Sequence, residues 1–391
     1  MANLGESIEL RFSRLARSMS ASAAPIISLG LGEPDFPTPP EAVAAAHEAM
    51  RAGLTRYSSP FGIMDLRAAI SDKFATENNV RVAADAIIVT SGAKMALSLA
   101  LGAMLEAGDE VIVVTPCYPS YIPQVLIAEP TAVIRAVDVR RDDFSLDFDS
   151  LAGALSLRTK AVLLNSPHNP TGRMISLAEI ERLAELLGER RCWVISDEVY
   201  ERLNHSGTRH LSPGAHPALA GRTVTINGFS KTFAMTGWRI GYAAFPDARL
   251  FAAAGVLQQH MNTCVAPFIQ KAALAALSLP SDFLDPYNHR LAENAEAVVR
   301  LAASNPSLSA PPSLGGLFAF VDISATGMGS DDLATALLEE ESVAVTPGIV
   351  FGKGWDTHVR VSLAIDTGSF AEGIGRLDAF ARRRTLQRDR R

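Results

Sequence analysis

Cysteine is scarce. Cys117, Cys192 and Cys264 are too few and too widely spaced for a disulfide framework or a metal site. That usage suits a reducing cytoplasm, with Cys192, at the head of an apolar run, expected to be buried. No charge-free apolar stretch reaches the length of a membrane span. Met1 to Ser20 carries Glu6, Glu9, Arg11, Arg14 and Arg17 and lacks the apolar core of a secretory signal. A net charge of −6 argues against a dedicated nucleic-acid or membrane-surface binder. Internal repeats and low-complexity linkers are also missing. Six arginines between Arg382 and Arg391 read as a frayed, solvated terminus without a function.

What remains is a 391-residue chain, 48% hydrophobic and 20% charged, with the composition of an ordinary soluble enzyme and the length for two domains. Residues 86–89, 111–114, 161–164, 193–195 and 224–226 are strand-length runs rich in β-branched residues. Being apolar on both faces, they predict strands buried between two helical layers. A capping box at Ser176 and Glu179 starts a helix with an apolar stripe of Leu177, Ile180, Leu183, Ala184 and Leu187. Strand–helix alternation of this kind gives an α/β fold with a mainly parallel sheet. From about residue 285 the pattern changes to a long helix through Arg300, strands at 318–321, 343–345 and 359–363, and a last helix near 370–383. This predicts a large domain over 46–285 and a smaller α+β domain from 286–391 together with 1–45.

The apolar runs end in chemically useful residues. They lead into Thr90-Ser91-Gly92-Ala93-Lys94, Thr115-Pro116-Cys117-Tyr118, Asn165 to Gly172, Ser196-Asp197-Glu198-Val199-Tyr200, and Asn227 to Phe233 with Lys231 inside it. Ligands of parallel α/β sheets bind beyond the carboxyl ends of the strands, so these groups are expected to share one cleft. Lys231 lies among Ser, Gly, Thr and aromatic residues, where desolvation would make its amine nucleophilic. Such lysines form Schiff bases with an aldehyde cofactor, usually pyridoxal phosphate (PLP). Ser91, Gly92 and Ala93 at a helix start, with the cation of Arg239, suit a phosphate. Asp197 suits a protonated pyridine nitrogen, Tyr200 and Asn169 a phenolic oxygen, and Tyr118 a ring face. Taken singly, Asp197 can equally be a helix cap, Asn169 to Gly172 a turn, and Tyr118 a core aromatic.

The ordered motifs Gly30 to Pro39, Tyr57 with Gly62 and Leu66-Arg67, Ser91 to Lys94, Asn165 to Gly172, Ser196 to Tyr200, Ser230-Lys231 through Gly241, and His358 to Ser362 span nearly the whole chain. In them the sequence resembles the fold-type-I PLP-dependent enzymes, class I/II aminotransferases. Gly92-Ala93-Lys94 and Ala234 to Arg239 are similar to the bacterial aspartate/prephenate branch. The resemblance implies a seven-stranded sheet in the large domain and a catalytic set of Lys231, Asp197 and Tyr200. It implies a cofactor site of Ser91, Gly92, Ala93, Lys94, Tyr118, Asn169, Asp197, Tyr200, Ser230, Lys231 and Arg239. It also implies a substrate carboxylate clamp of Arg360 with the Gly32 backbone and Asn169, and Lys94 meeting a distal carboxylate. Tyr57 would reach the phosphate of a neighbouring subunit, giving a homodimer with shared sites. Gly228 departs from the pattern, because many relatives carry a phosphate-binding Ser or Thr there; the phosphate would lean on Ser91, the Ala93 amide, Arg239 and Tyr57.

The implied reaction is a ping-pong transfer of an amino group between an amino acid and a 2-oxo acid, with displaced Lys231 moving the α-proton. Acidic substrates are expected from Lys94, aromatic or aliphatic ones from apolar Leu31, Ile122 and Phe318, which can equally be plain core. Elimination or oxygen-dependent oxidation on the same scaffold is the alternative, since a fold does not fix a reaction. A ligand-sensing regulator is expected to carry a DNA-binding module ahead of the Gly30 motif, where little chain is found.

Overall fold

Backbone pairing puts the β-branched runs side by side in one sheet, as a computed structural model of residues 26–388 shows. The strands are β1 (Ile27–Ser28), β2 (Ile87–Thr90), β3 (Glu110–Thr115), β4 (Val133–Asp138), β5 (Thr159–Asn165), β6 (Trp193–Asp197), β7 (Thr223–Gly228), β8 (Gly241–Ala244), β9 (Phe318–Asp322), β10 (Val343–Ala344), β11 (Thr346–Pro347) and β12 (His358–Ser362). Seven form the main sheet in the order β2-β8-β7-β6-β5-β3-β4, with β8 antiparallel to both neighbours and the other pairs parallel. β11, β12 and β9 make a separate antiparallel sheet, and β1 pairs with β10.

Alternation along each strand sends neighbouring residues to opposite faces. Val111 and Val113 pack with Leu97 and Leu101 of the helix Ala93–Met104, while Ile112 and Val114 pack with Ile180 and Leu183 of the helix Leu177–Leu187. That second helix opens with the expected capping box. The Glu179 amide donates to Ser176 Oγ at 3.3 Å and the Ser176 amide to Glu179 Oε2 at 2.9 Å. Leu177 departs from the expected stripe: at the helix's first position it faces solvent.

Two strands of the main sheet escape the apolar-run criterion. β4 is an edge strand whose pattern is broken by exposed Arg135, and β8, Gly-Tyr-Ala-Ala, has no β-branched residue. The boundary expected at residue 45 falls inside the helix Pro40–Arg51, whose Ala42 and Ala46 join the same cluster as Ile87 and Tyr242 of the main sheet. The last helix, Thr367–Arg388, corrects the reading of a frayed tail. Within it Arg382 pairs with Asp378 one turn back, while Arg383 pairs with Glu341 and Arg384 with Glu340, so the last two bind this helix to the helix Ser330–Glu341. Arg390 and Arg391, like Met1 to Ser20, lie outside the described residues. Cys192 is buried, as expected. Among the described residues no helix is long and apolar enough to cross a membrane.

A buried polar network sits behind the end of β6. Glu198 accepts from Ser196 Oγ and Ser212 Oγ (each 2.7 Å), from Asn78 Nδ2 (3.1 Å) and from His210 Nε2 (3.0 Å). Glu201 pairs with Lys73 and Asn78. Burial pushes the Glu201 carboxyl up, but Lys73, His210 and Asn78 outweigh it and hold it below the usual range. Removing the lysine strands a buried carboxylate, which is more costly than losing the pair as a whole. Lys73→Met is therefore expected to lower unfolding stability by about 3 kcal/mol, read from urea midpoints at neutral pH.

Candidate active site

Four strands, β3, β5, β6 and β7, run parallel, so their carboxyl ends lie along one edge of the sheet. β8, running the other way, begins there. The loops that follow open onto a cavity of about 790 Å³ roofed by the Gly30–Gly32 segment and by Phe318 and Arg360 of the smaller domain. Lys231, Asp197, Tyr200, Tyr118, Asn169, Ser230, Arg239, Ala93, Lys94, Gly32 and Arg360 all line it.

Lys231 Nζ donates to the Gly32 carbonyl at 2.6 Å and lies 5.9 Å from the Tyr200 ring centre. Asp197 Oδ2 accepts from the Tyr121 hydroxyl at 2.7 Å, and its Oδ1 takes the Val199 amide at 3.3 Å. No helix follows Asp197, so it is not a cap. Its backbone carbonyl accepts from Asn165 Nδ2 at 2.9 Å, while Asn165 Oδ1 accepts the Asn169 amide at 2.7 Å. β6 and the Asn169 loop are thus locked together. Arg360, 1% exposed, donates to Asn169 Oδ1 and the Gly30 carbonyl at 3.0 Å each, with its guanidinium 4.0 Å above the Phe318 ring. Lys94 Nζ lies 5.7 Å from the centre of the Tyr118 ring.

The cleft narrows between β8 and the helix Ala93–Met104, where the backbone leaves no room for side chains. A Cβ on Gly92, at φ +88°, would stand 2.6 Å from Arg239 Nη2, and one on Gly241 2.5 Å from the Ala93 nitrogen. First-turn amides of a helix have no intrahelical acceptor, so this corner offers N–H groups and a guanidinium to an anion. Arg239 holds the strained left-handed φ of +55° and donates to the Thr236 carbonyl at 3.2 Å. A phosphate at this corner and a cationic ring nitrogen at the Asp197 carboxylate match the residues present, and Lys231 stands in the same cavity for an aldehyde.

For two residues, Ser91 and Ile122, the cavity reading is corrected. The Ser91 side chain does not reach the cavity: its hydroxyl donates to Asn262 Oδ1 at 3.0 Å because it leaves β2 before the helix turns toward the cleft. Ile122 packs into the core beside Leu97 and Val125 instead of lining the cavity. Tyr57, 87% exposed, is absent from the lining of its own chain's cavity. Residue-level reading also missed Tyr121, Thr236 and a role for Asn165. Tyr121 carried one usable signal, its place three residues beyond Tyr118 across a helix start.

A model of the family described as aminotransferase class I and II matches residues 24–377. The chain belongs to that family. The family depends on pyridoxal 5'-phosphate, so the protein is a PLP-dependent aminotransferase. It is 37% identical to the aspartate/prephenate aminotransferase of Cereibacter sphaeroides over 392 residues, covering 97% of each chain. The crystal structure of the Rhizobium meliloti aspartate aminotransferase superposes with a TM-score of 0.91 at 34% identity, covering 98% of both chains. The aromatic aminotransferase of Pyrococcus horikoshii gives 0.88 at 34% identity, over 95% of this chain and 100% of that one.

Burial raises the Asp197 carboxyl to about 6, against lowering by the Tyr121 hydroxyl and the Val199 amide. A raised acid keeps its proton in the folded protein over a range where the unfolded chain has lost it. The resulting destabilisation is absent below about pH 4 and complete above about pH 6. In the cofactor-free aminotransferase, Asp197→Asn is expected to gain about 2–3 kcal/mol over wild type at pH 8 and to lose that gain by about pH 4, measured by urea unfolding at both values.

Proposed function

We propose that the cavity carries out amino-group transfer through Lys231, Asp197 and Arg360, and that the large domain begins near Pro40 rather than at residue 46. The observation that carries the site reading is that the Lys231 amine, the half-buried Asp197 carboxylate and the buried Arg360 guanidinium face a single cavity. When bound, pyridoxal phosphate supplies an aldehyde for the amine and an electron sink for the pair left as the α-proton departs. Lys231 Nζ is the base that takes the proton from the substrate Cα and later returns it, after exchanging its contact with the Gly32 carbonyl. Asp197 holds positive charge at the ring nitrogen. Asn169 Oδ1 is engaged by Arg360, so its amide nitrogen donates toward the ring's phenolic oxygen together with Tyr200. Tyr118 stacks, and the Gly92, Ala93 and Lys94 backbone, Ser230 and Arg239 hold the phosphate.

Arg360 binds the α-carboxylate in a planar, bidentate manner with the Gly32 backbone beside it. Lys94, exposed and resting near Tyr118, is the cation for a second carboxylate, while Leu31 and Phe318 give the same cavity an apolar wall. This supports aspartate, glutamate and aromatic amino acids with their 2-oxo acids as substrates, in keeping with the activities named for the relatives. A homodimer with shared sites is supported by Tyr57, which projects from its own chain beside exposed Leu54 and Met64. A cytoplasmic location is supported by the three free cysteines.

Lys231→Ala is expected to bind the cofactor but lose turnover by about three orders of magnitude or more, measured with a 2-oxo acid acceptor. Near-normal turnover in that variant, or acceptor-independent ammonia release or oxygen uptake by wild type, would overturn the transfer reading. Lys94→Ala is expected to raise KM for aspartate about 10-fold and leave that for phenylalanine within about two-fold, read from steady-state kinetics on both.

A further inference from the structure

The Asp197 carboxylate is held by little. Besides the 3.3 Å amide of Val199, its one short hydrogen bond among the described residues is from the Tyr121 hydroxyl at 2.7 Å. Tyr121 is 2% exposed and begins the helix Tyr121–Ala128, with its own amide donating to the Tyr118 carbonyl at 3.0 Å. Its ring meets that of Tyr118 edge-on, with centroids 5.5 Å apart and planes at 83°. One side chain therefore touches both the acid and the aromatic that the functional reading assigns to the cofactor ring. We infer that Tyr121 is a positioning residue for the reaction, its hydroxyl fixing the Asp197 carboxylate and its ring fixing Tyr118.

This rests on the roles proposed for Asp197 and Tyr118. A phenylalanine would fill the same volume, so what the tyrosine adds here is the hydroxyl, and it donates to Asp197. The hydroxyl is suited to the task because burial, and then Asp197 itself, push the phenol well above its ordinary value. It remains a neutral donor wherever the carboxylate is ionised. Hydrogen bonds to the charged form stabilise it, so Tyr121 lowers the Asp197 carboxyl against burial. The other titratable groups acting on this pair are Glu198, which raises Asp197, Lys231, which lowers it, and Cys117 and Tyr200, which act on Tyr121. The cofactor's electron-sink strength depends on how firmly this carboxylate holds positive charge at the ring nitrogen, so a change at Tyr121 is felt in the chemical step and not in carboxylate binding at Arg360.

The test is Tyr121→Phe, with the Asp197 carboxyl titrated by carbon NMR in the cofactor-free protein and kinetics measured on the holoenzyme. The titration is expected to move up by about one unit from its wild-type value. In the holoenzyme kcat should fall about 10-fold while KM for the amino acid stays within about two-fold. An unmoved titration, or an unchanged kcat, overturns the inference. Asp197→Asn separates this from the underlying reading: if that variant keeps wild-type turnover, the role of Asp197 itself is wrong whatever Tyr121 does. Should Tyr121→Phe not fold, 3-fluorotyrosine placed at 121 keeps the shape and donates more strongly. It must then move the Asp197 titration downward, and no movement overturns the inference.

Discussion

A carboxylate drawn out of water is expensive unless something compensates it, and Asp197, half-buried on the cavity wall, is in that position. Burial, with a long Val199 amide and one short bond from Tyr121 against it, leaves the acid near 6 instead of its ordinary value. The contrast with the adjacent Glu198 is instructive. That side chain, wholly buried, has donors from Ser196, Ser212, Asn78 and His210. Two consecutive acids at the end of β6 point to opposite sides of the chain, one fully satisfied inside the protein and one left partly unsatisfied toward the cavity. In the proposed site a cationic ring nitrogen would supply what the second lacks.

The sheet makes that arrangement possible. Parallel strands deliver all their carboxyl ends to one edge, and the antiparallel β8 brings Arg239 to the same edge from its amino end. Crowding there is severe, and glycine resolves it at Gly92 and Gly241, where a methyl group would collide with Arg239 or the Ala93 nitrogen. This corner is therefore built from backbone, helix terminus and guanidinium, with no side-chain hydroxyl at Gly228.

Much of this was legible in the residues, for physical reasons. Strands buried on both faces leave continuous apolar runs, and β2, β3, β5, β6 and β7 were visible as such. The capping box at Ser176 is a local hydrogen-bond pattern that needs no tertiary context. β4 and β8 were hidden because one lies at the sheet edge and the other owes its place to pairing between β2 and β7, not to propensity. Ser91 and Ile122 failed for a common cause. Position in a motif says which loop a residue belongs to, whereas side-chain direction is fixed by the turn that follows, and one-residue differences exchange cleft for core. The arginines of the last helix read as a charged tail because their partners, Glu340 and Glu341, lie far away in sequence. Tyr121 went unnoticed because an apolar-looking helix start gives no hint that its hydroxyl meets a carboxylate on another strand.

The cavity draws side chains from the main sheet and from the smaller one. Asp197 ends β6 and Lys231 follows β7 in a turn, whereas Arg360 lies on β12. The strand that crosses from one to the other is anchored in the smaller domain: the Leu29 amide donates to the Ala344 carbonyl at 2.8 Å, and the Ser362 amide to the Leu29 carbonyl at 2.6 Å. Immediately beyond, the carbonyls of Gly30 and Gly32 cap Arg360 and Lys231 respectively. A short run of backbone thus gives both side chains a neutral acceptor. An amino acid brings a carboxylate, which a guanidinium prefers to a carbonyl because the hydrogen bond becomes charge-assisted on both sides. On the proposed roles, exchange of that kind at Arg360 favours substrate binding. The same short segment carries both carbonyls, so Arg360 and Lys231 are held by one piece of backbone. Its glycines permit this close approach: a Cβ on Gly32 would stand 3.2 Å from Phe318, so a side chain there would push the segment away from both cations.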